Sequence, residues 1–314
     1  MTTDNKTVAT EQSVEEKRHS FVFDLFKRMV VEKPLGTFGL VVIVFFLALG
    51  IFAKFLIPFP INHIDLLNMA KPPSAKYLLG TDGIGHDNLS RFILGARSSM
   101  EIGLGAAVLA TFLSVCIGAP SGFIGGKIDM IGQRFIDVWL SIPNFIILMT
   151  ALIILPRNIL TMILVLGLTA GIGGVRLIRS AVIVIKPNTY VSAVEAIGDS
   201  RWHALIRHIL PNIMPTIIIA FTLGVGQAIM SEAALDLLGF GLPMSIPSWG
   251  SLIFNVWPWA VIAISLTIFG INMFGDSLRD LLDPRLRGGV GRYTLKPKKL
   301  QQLRKYFVKE QLNN

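Results

Sequence analysis

Charged residues are scarce along this chain and fall between long apolar runs. Uncharged stretches occupy Leu35–Ala53, Ile102–Gly126, Val138–Pro156, Asn158–Val175, Ile209–Ser231 and Leu237–Gly275. A hydrocarbon core about 30 Å thick is crossed by roughly 20 helical residues at 1.5 Å each. Each run therefore predicts a membrane-spanning helix rather than the interior of a soluble domain. The last run is too long for one span, but Pro243, Pro247 and Pro258 break it. It reads as a short non-spanning loop followed by one helix. The expected spans are about Leu35–Ile57, Met100–Phe123, Phe135–Leu155, Ile159–Ile178, Ile213–Leu238 and Trp257–Phe274. The predicted fold is an all-α polytopic membrane protein with six transmembrane helices and both termini on the same side.

Composition agrees with the pattern. Hydrophobic residues make up 52% of the 314 and charged residues 16%, against about 25% charged in ordinary soluble chains. This excludes a disordered chain, a disulfide scaffold and most soluble enzymes. The formal net charge of +9 raises nucleic acid as a partner. In a membrane chain, the distribution of the positive residues is the first thing to test. On the six-span layout, 23 of the 29 Lys and Arg lie on the side that holds the termini. The positive-inside rule makes that side cytoplasmic and leaves no case for nucleic-acid binding. Cys116 stands alone in an apolar run, so it predicts packing rather than a disulfide or metal site. Residues 1–20 lack the apolar stretch of a cleavable leader, which leaves the first span as the insertion signal.

The organisation follows from these boundaries. Residues 1–34 predict a cytoplasmic tail and an interfacial helix, because Phe21–Val31 mixes aromatic and aliphatic residues with Asp24, Lys27 and Arg28. Residues 35–57 form the first span and 58–99 an external segment. Residues 100–282 form a five-helix core, interrupted by a cytoplasmic segment at 187–212, and 283–314 a basic cytoplasmic tail. Gly118-x3-Gly122, Gly122-x3-Gly126 and Gly167-x3-Gly171 predict close helix packing.

The cytoplasmic segment carries the most information. Pro187 breaks the incoming helix, Tyr190–Ile197 can make two helical turns, and Gly198 suits a left-handed cap. Asp199 or Ser200 can cap a second helix. There Trp202, Leu205, Ile206 and Ile209 fall at i, i+3, i+4 and i+7, which predicts one apolar face. Pro211 and Pro215 mark the approach to the fifth span. The segment thus predicts a bent helix pair, either packed on the span ends or presented to a partner.

Tyr190-Val191, Ala193, Ala196, Gly198 and Ile209-Leu210-Pro211-Asn212 together resemble the coupling segment of permease subunits of ATP-binding-cassette importers. The similarity is greatest to the dipeptide, oligopeptide and nickel branch. Gly80-Thr81-Asp82, Asp87, Ser90-Arg91 and Gly95-Ala96-Arg97 match that branch as well. So do Ser141-Ile142-Pro143, Glu232-Ala233-Ala234-Leu235, Pro247-Ser248-Trp249-Gly250 and Asp283-Pro284-Arg285. Ser192 replaces the family's usual Glu, Val194 its Ala, His86 its Arg and Asp236 a small residue.

The resemblance implies a type I importer permease in a bacterial or archaeal cytoplasmic membrane, importing di- or oligopeptides. Its implied partners are a second homologous permease subunit, two ATP-binding subunits and an extracytoplasmic substrate-binding protein. ATP and Mg would bind in the partners, with no cofactor on this chain and no catalytic residue. The chain's own Gly126-Lys127 is followed by Ile128 and has Ser121 where a phosphate loop needs its first Gly. Tyr190, Val191, Ala193, Ala196, Gly198, Trp202, Ile209 and Pro211 are the implied coupling residues. Glu232 and Asp236 fall four apart near the outer end of the fifth span, as either a pathway lining that favours cations or a structural pair. Asp87 and Arg91 can pair at i, i+4 on an external helix. With Asp82 and Trp249 they either receive the binding protein or brace the external segment. His203 and His208, five apart, are not neighbours on an α-helix, and no metal site is expected. Competing functions are an ion-coupled carrier, disfavoured by the charge-poor spans, a scaffold that only recruits an ATPase, and an importer of nickel, opines or glutathione.

Overall fold

A computed structural model describes residues 21–189, 191 and 200–282. The described residues are helical, apart from loops and a single antiparallel bridge between Thr81 and Asp87. Helix α1 (Phe21–Glu32) leads at Pro34 into α2 (Pro34–Ile51), and a short α3 (Ala53–Leu56) follows. Pro34 suits the first turn of α2, where no intrahelical donor is needed. Segment 58–87 is irregular apart from a 3₁₀ turn at Leu66–Asn68 and ends at α4 (Asn88–Ile124). Then come α5 (Gly126–Ser141), α6 (Asn144–Ile154) and α7 (Ile159–Ile185). After them lie α8 (201–212), α9 (Met214–Leu237) and α10 (Ile253–Leu282).

Five helices, α2, α4, α7, α9 and the part of α10 from Pro258, are long and apolar enough to cross a bilayer. The pair α5 and α6, bent by 78°, is long and apolar enough only when its two helices are taken together as one broken span. This corrects the straight helix expected over Phe135–Leu155. Pro143 supplies no N–H to the helical ladder and holds Ile142 extended, at φ −85° and ψ 127°. Lys33 Nζ donates to Asp280 Oδ2 at 2.6 Å, so the chain enters its first span beside the place where it leaves its last. We call this the terminal end of the bundle, and the end carrying 58–87 the segment end.

The second expected span also differs. Helix α4 runs for 37 residues and starts at Asn88, twelve positions before Met100. Asp87 caps it by accepting from the Ser90 backbone N–H at 2.8 Å. Its apolar part crosses the bilayer and its first three turns extend beyond. Helices α4 and α7 pack on the glycine pairs. A Cβ on Gly118 would lie 2.6 Å from the Val175 carbonyl oxygen, and one on Gly122 would lie 2.7 Å from that of Arg179. Gly167 and Gly171 receive Leu109 and Ala110 in the same way. In lipid, such close contact replaces the hydrophobic drive that water would supply.

The core lies where α4, α6, α7 and α9 meet, around Ile102, Leu148, Leu152, Met162 and Leu235. A second cluster at the terminal end joins Ala119, Phe123, Ile178 and Val182 to Leu205 and Ile209 of α8. Exposed side chains such as Phe45, Phe112, Ile154 and Phe254 form the apolar mantle of a lipid-facing surface.

Candidate functional site

Two regions flank the bundle. At the segment end, residues 58–87 fold over the start of α4. Asp65 accepts from Tyr77 Oη at 2.7 Å, Asn68 Nδ2 at 2.9 Å and Lys76 Nζ at 3.0 Å. The bond from Tyr77, then those from Asn68 and Lys76, hold its carboxyl well below the usual range. Gly85, at φ +96°, runs against the Asp65 backbone, where a Cβ would lie 2.5 Å from the carbonyl oxygen.

Asp82 accepts from the backbone N–H groups of Ile84 at 2.9 Å and His86 at 2.8 Å, and lies 2.8 Å from His86 Nδ1. Burial opposes its charge, yet the backbone and side-chain bonds from His86 and the backbone bond from Ile84 leave its carboxyl below the ordinary value. Arg91 donates to Asp82 Oδ2 at 3.3 Å and to the Met244 carbonyl at 3.0 Å. The expected Asp87–Arg91 pair is therefore replaced. Asp87 is used as a helix cap, which leaves Arg91 free to reach Asp82 and the loop 238–252. Asp82, Asp87, Arg91 and Trp249 are all buried, at 4%, 3%, 5% and 0% exposure. They join the segment to the bundle from beneath, and other residues form its outer surface. Trp249 sets its ring edge-on to Phe46, with centroids 4.9 Å apart, and its backbone N–H donates to Ser99 Oγ at 3.0 Å.

Glu232, in the last turns of α9, is fully buried, with Ser99 Oγ 3.5 Å from its Oε2. Asp236 accepts from the Leu242 backbone N–H at 2.8 Å through Oδ1 and from the Ser248 hydroxyl through Oδ2. In this conformation both Asp236 oxygens are occupied in closing the loop 238–252 over the end of α9. Gly241 and Gly250 follow from that arrangement. A Cβ on Gly250 would lie 2.6 Å from the Ala233 Cα and 2.8 Å from Asp236 Oδ2.

At the terminal end, Tyr190, Ala193, Ala196 and Gly198 lie outside the described residues. Val191 is buried, and its backbone N–H donates to the Asn188 carbonyl at 2.9 Å. Ser200 caps α8 by accepting from the His203 backbone N–H at 3.2 Å. The apolar face expected there is divided. Leu205 and Ile209 are buried, together with Ala204, whereas Trp202 and Ile206 are 55% and 62% exposed. The cause is backbone geometry: Ala204–Ile209 is a π-helix, in which the Leu210 N–H bonds to the Leu205 carbonyl. The wider i→i+5 turn moves side chains off the α-helical register. The same geometry overturns the separation expected of His203 and His208, whose ring centroids lie 6.1 Å apart. Pro211 is exposed and removes the N–H that an α-helix would need there.

Sequence reasoning missed a third element. A cavity of about 620 Å³ separates α4, α5 and α7, walled by apolar side chains with Ser121 and Gln133 among them. Two ion pairs tie α5 to α7 across its edge. Arg179 grips Asp129 with Nε at 2.6 Å and Nη2 at 2.5 Å, and Arg176 pairs with Asp137. Asp129 and Asp137 lie eight apart on α5, and Arg176 and Arg179 three apart on α7, a spacing that could have signalled facing charged stripes.

A bundle of five long apolar helices and one bent pair, with an ordered segment at one end and a π-helical arm at the other, is the architecture of a multi-pass membrane protein. Residues 114–288 match the family described as binding-protein-dependent transport system inner membrane component, and the chain belongs to that family. Residues 24–73 match the N-terminal TM domain of oligopeptide transport permease C. The chain is 36% identical over 263 residues to the oligopeptide transport system permease protein OppC of Bacillus subtilis (strain 168), covering 81% of this chain and 86% of that one. It is 32% identical over 286 residues to the dipeptide transport system permease protein DppC of the same organism, covering 88% and 89%. To the glutathione transport system permease protein GsiD of Shigella dysenteriae serotype 1 (strain Sd197) it is 30% identical over 278 residues, covering 84% and 89%.

Proposed function

We propose that this permease moves di- or oligopeptides across a bacterial or archaeal cytoplasmic membrane, inward from an extracytoplasmic substrate-binding protein. It works beside a second homologous permease subunit, and two ATP-binding subunits supply ATP, Mg and the hydrolysis. The terminal end faces the cytoplasm. The observation that carries the peptide reading is the 36% identity to an oligopeptide permease across most of both chains.

The arm after α7 is the coupling element. Its Ala204, Leu205 and Ile209 are anchored among α4 and α7, while Trp202 and Ile206 are left uncovered for an ATPase groove. The family resemblance assigns Tyr190, Ala193, Ala196 and Gly198, which lie outside the described residues, to the same coupling role. Force on the arm passes through the π-helix and Pro211 into α9, whose far end carries Glu232 and Asp236. Movement of the loop 238–252 away from α9 uncovers these carboxylates to a peptide's ammonium group. Asp82, Asp87, Arg91 and Trp249 hold the segment end in the shape that meets the binding protein.

The test is uptake of a labelled tripeptide into proteoliposomes containing the whole importer. Accumulation requires ATP, and Trp202→Asp with Ile206→Asp abolishes it while leaving the ATPases' own hydrolysis intact. Uptake by this chain alone, driven by an ion gradient, would overturn the proposal.

A further inference from the structure

Two grooves on the outside of the bundle share Leu104. The first, about 260 Å³, is lined by Leu47, Gly50 and Ile51 of α2 and by Arg97, Glu101 and Leu104 of α4. The second, about 380 Å³ and almost wholly apolar, continues along α4 to Phe112, with Phe221 and Ile271 on its far wall. By helical rise, Glu101 and Phe112 are about 16 Å apart along α4. The strip therefore has a charged head and a long apolar tail.

The head is an ion pair, with Arg97 Nε donating to Glu101 Oε1 at 2.8 Å and both side chains nearly half exposed. Its depth is set by α2. Gly50, one residue from the end of that helix, backs onto Arg97, where a Cβ would lie 2.9 Å from the Arg97 Cα. The pair thus stands where the first span leaves the hydrocarbon. The exposed Val108 and Phe112 lie about two and three turns deeper than Glu101. A charged pair turned toward lipid is costly in hydrocarbon but stable at headgroup level.

We propose that this strip binds one phospholipid that carries both a phosphate and a primary ammonium. The guanidinium fork of Arg97 takes the phosphate, as its planar donors suit it to do. Glu101 accepts from the ammonium, repels a headgroup with net negative charge, and finds no N–H donor on a quaternary one. One acyl chain lies in the groove past Leu104. The alternative occupant, a helix of a second permease copy, would bury the pair against protein.

The test is lipid retention by the full-length chain. The protein is purified from nanodiscs of equal parts phosphatidylethanolamine, phosphatidylcholine and phosphatidylglycerol, and bound lipid is measured by native mass spectrometry. Phosphatidylethanolamine is expected in excess. Its retention falls about tenfold in Glu101→Gln, the factor carried by 1.4 kcal/mol, while Arg97→Ala releases all three lipids. Leu104→Trp, which leaves both charges in place, blocks the groove and lowers retention as well. Equal retention of the three lipids by the unaltered chain overturns the proposal without any variant having to fold. Capture of a second permease chain rather than lipid by a photocrosslinker at Phe112 overturns it too.

Discussion

Replacing Arg91 with methionine isolates what the buried charges at the segment end contribute. Arg91 and Asp82 side chains are 6% and 4% exposed, so neither is solvated by bulk water. The substitution keeps most of the side chain's volume but removes the bonds to Asp82 and to the Met244 carbonyl and the 3.2 Å contact with His86 Nδ1. It leaves a buried carboxylate without its cation. Removing one partner of a buried pair costs about 3–5 kcal/mol. Asp82 retains two backbone donors and the His86 ring, which places the expected loss at the lower end, about 3 kcal/mol. Unfolding of domains of 150–250 residues shifts by about 2–4 °C per kcal/mol, so a fall of about 6–12 °C is expected in purified protein. The double variant Arg91→Met, Asp82→Asn removes the orphaned charge and recovers about half of that loss. Thermal unfolding followed by circular dichroism measures both. A single variant within about 1 °C of the parent, or a double variant no better than the single, would refute the argument that buried charge pairing holds this end together.

Other expectations follow from the same geometry. Gly118→Leu forces a side chain into the α4–α7 contact, where even a Cβ meets the Val175 carbonyl oxygen at 2.6 Å. The unfolding temperature then drops by more than overpacking of about 1–3 kcal/mol predicts for a compliant core. Gly224→Leu, where a Cβ would meet Ala107 at an ordinary contact distance of 3.6 Å, costs less. Asp65 is held below the usual carboxylate range, so its contribution to segment 58–87 is complete above about pH 4 and lost as the pH falls further. Amide protection factors across 58–87, corrected for the intrinsic pH dependence of exchange, are expected to stay flat from pH 7 to 5 and to fall in stronger acid, with the acid limb weakened in Asp65→Asn. Asp236→Ala removes the acceptor for Leu242 and Ser248 and frees the loop 238–252. It should speed labelling of a cysteine placed at Ser245 and lower uptake of peptides with a free amino terminus more than that of acetylated ones. Equal effects on both peptide classes would remove Asp236 from substrate selection.

The lengths of the apolar runs anticipated the five long apolar helices and the stretch that became the bent pair α5 and α6, because the thickness of hydrocarbon dictates them before any contact is made. Gly118, Gly122, Gly167 and Gly171 declared which faces of α4 and α7 could approach closely, whereas Gly126, expected to pack like Gly122, has open space around its Cβ position. Residues quoted for the family resemblance, among them Asp82, Arg91, Ser248 and Trp249, also proved to be those that join the segment end to the bundle. Charges were harder to read. Asp87 has two natural uses, a cap or a partner four residues on, and only the position of Asp82 in space decided between them. The π-helix at Ala204–Ile209 was hidden in a run with good α-helical periodicity. What selects it is packing of Ala204, Leu205 and Ile209 on α4 and α7, together with the proline that follows.

Local composition thus determined the solvent of each segment, lipid or water, and with it which stretches are helical, but not the early start of α4 or the break in the third expected span. Tertiary structure decided the partner of each polar atom, the 78° bend at Pro143 in its actual direction, and the face that α8 leaves uncovered. The physical reason is range. Transfer between water and hydrocarbon is summed residue by residue along the chain, whereas a hydrogen bond or a close helix contact depends on groups that only the fold brings within a few ångströms.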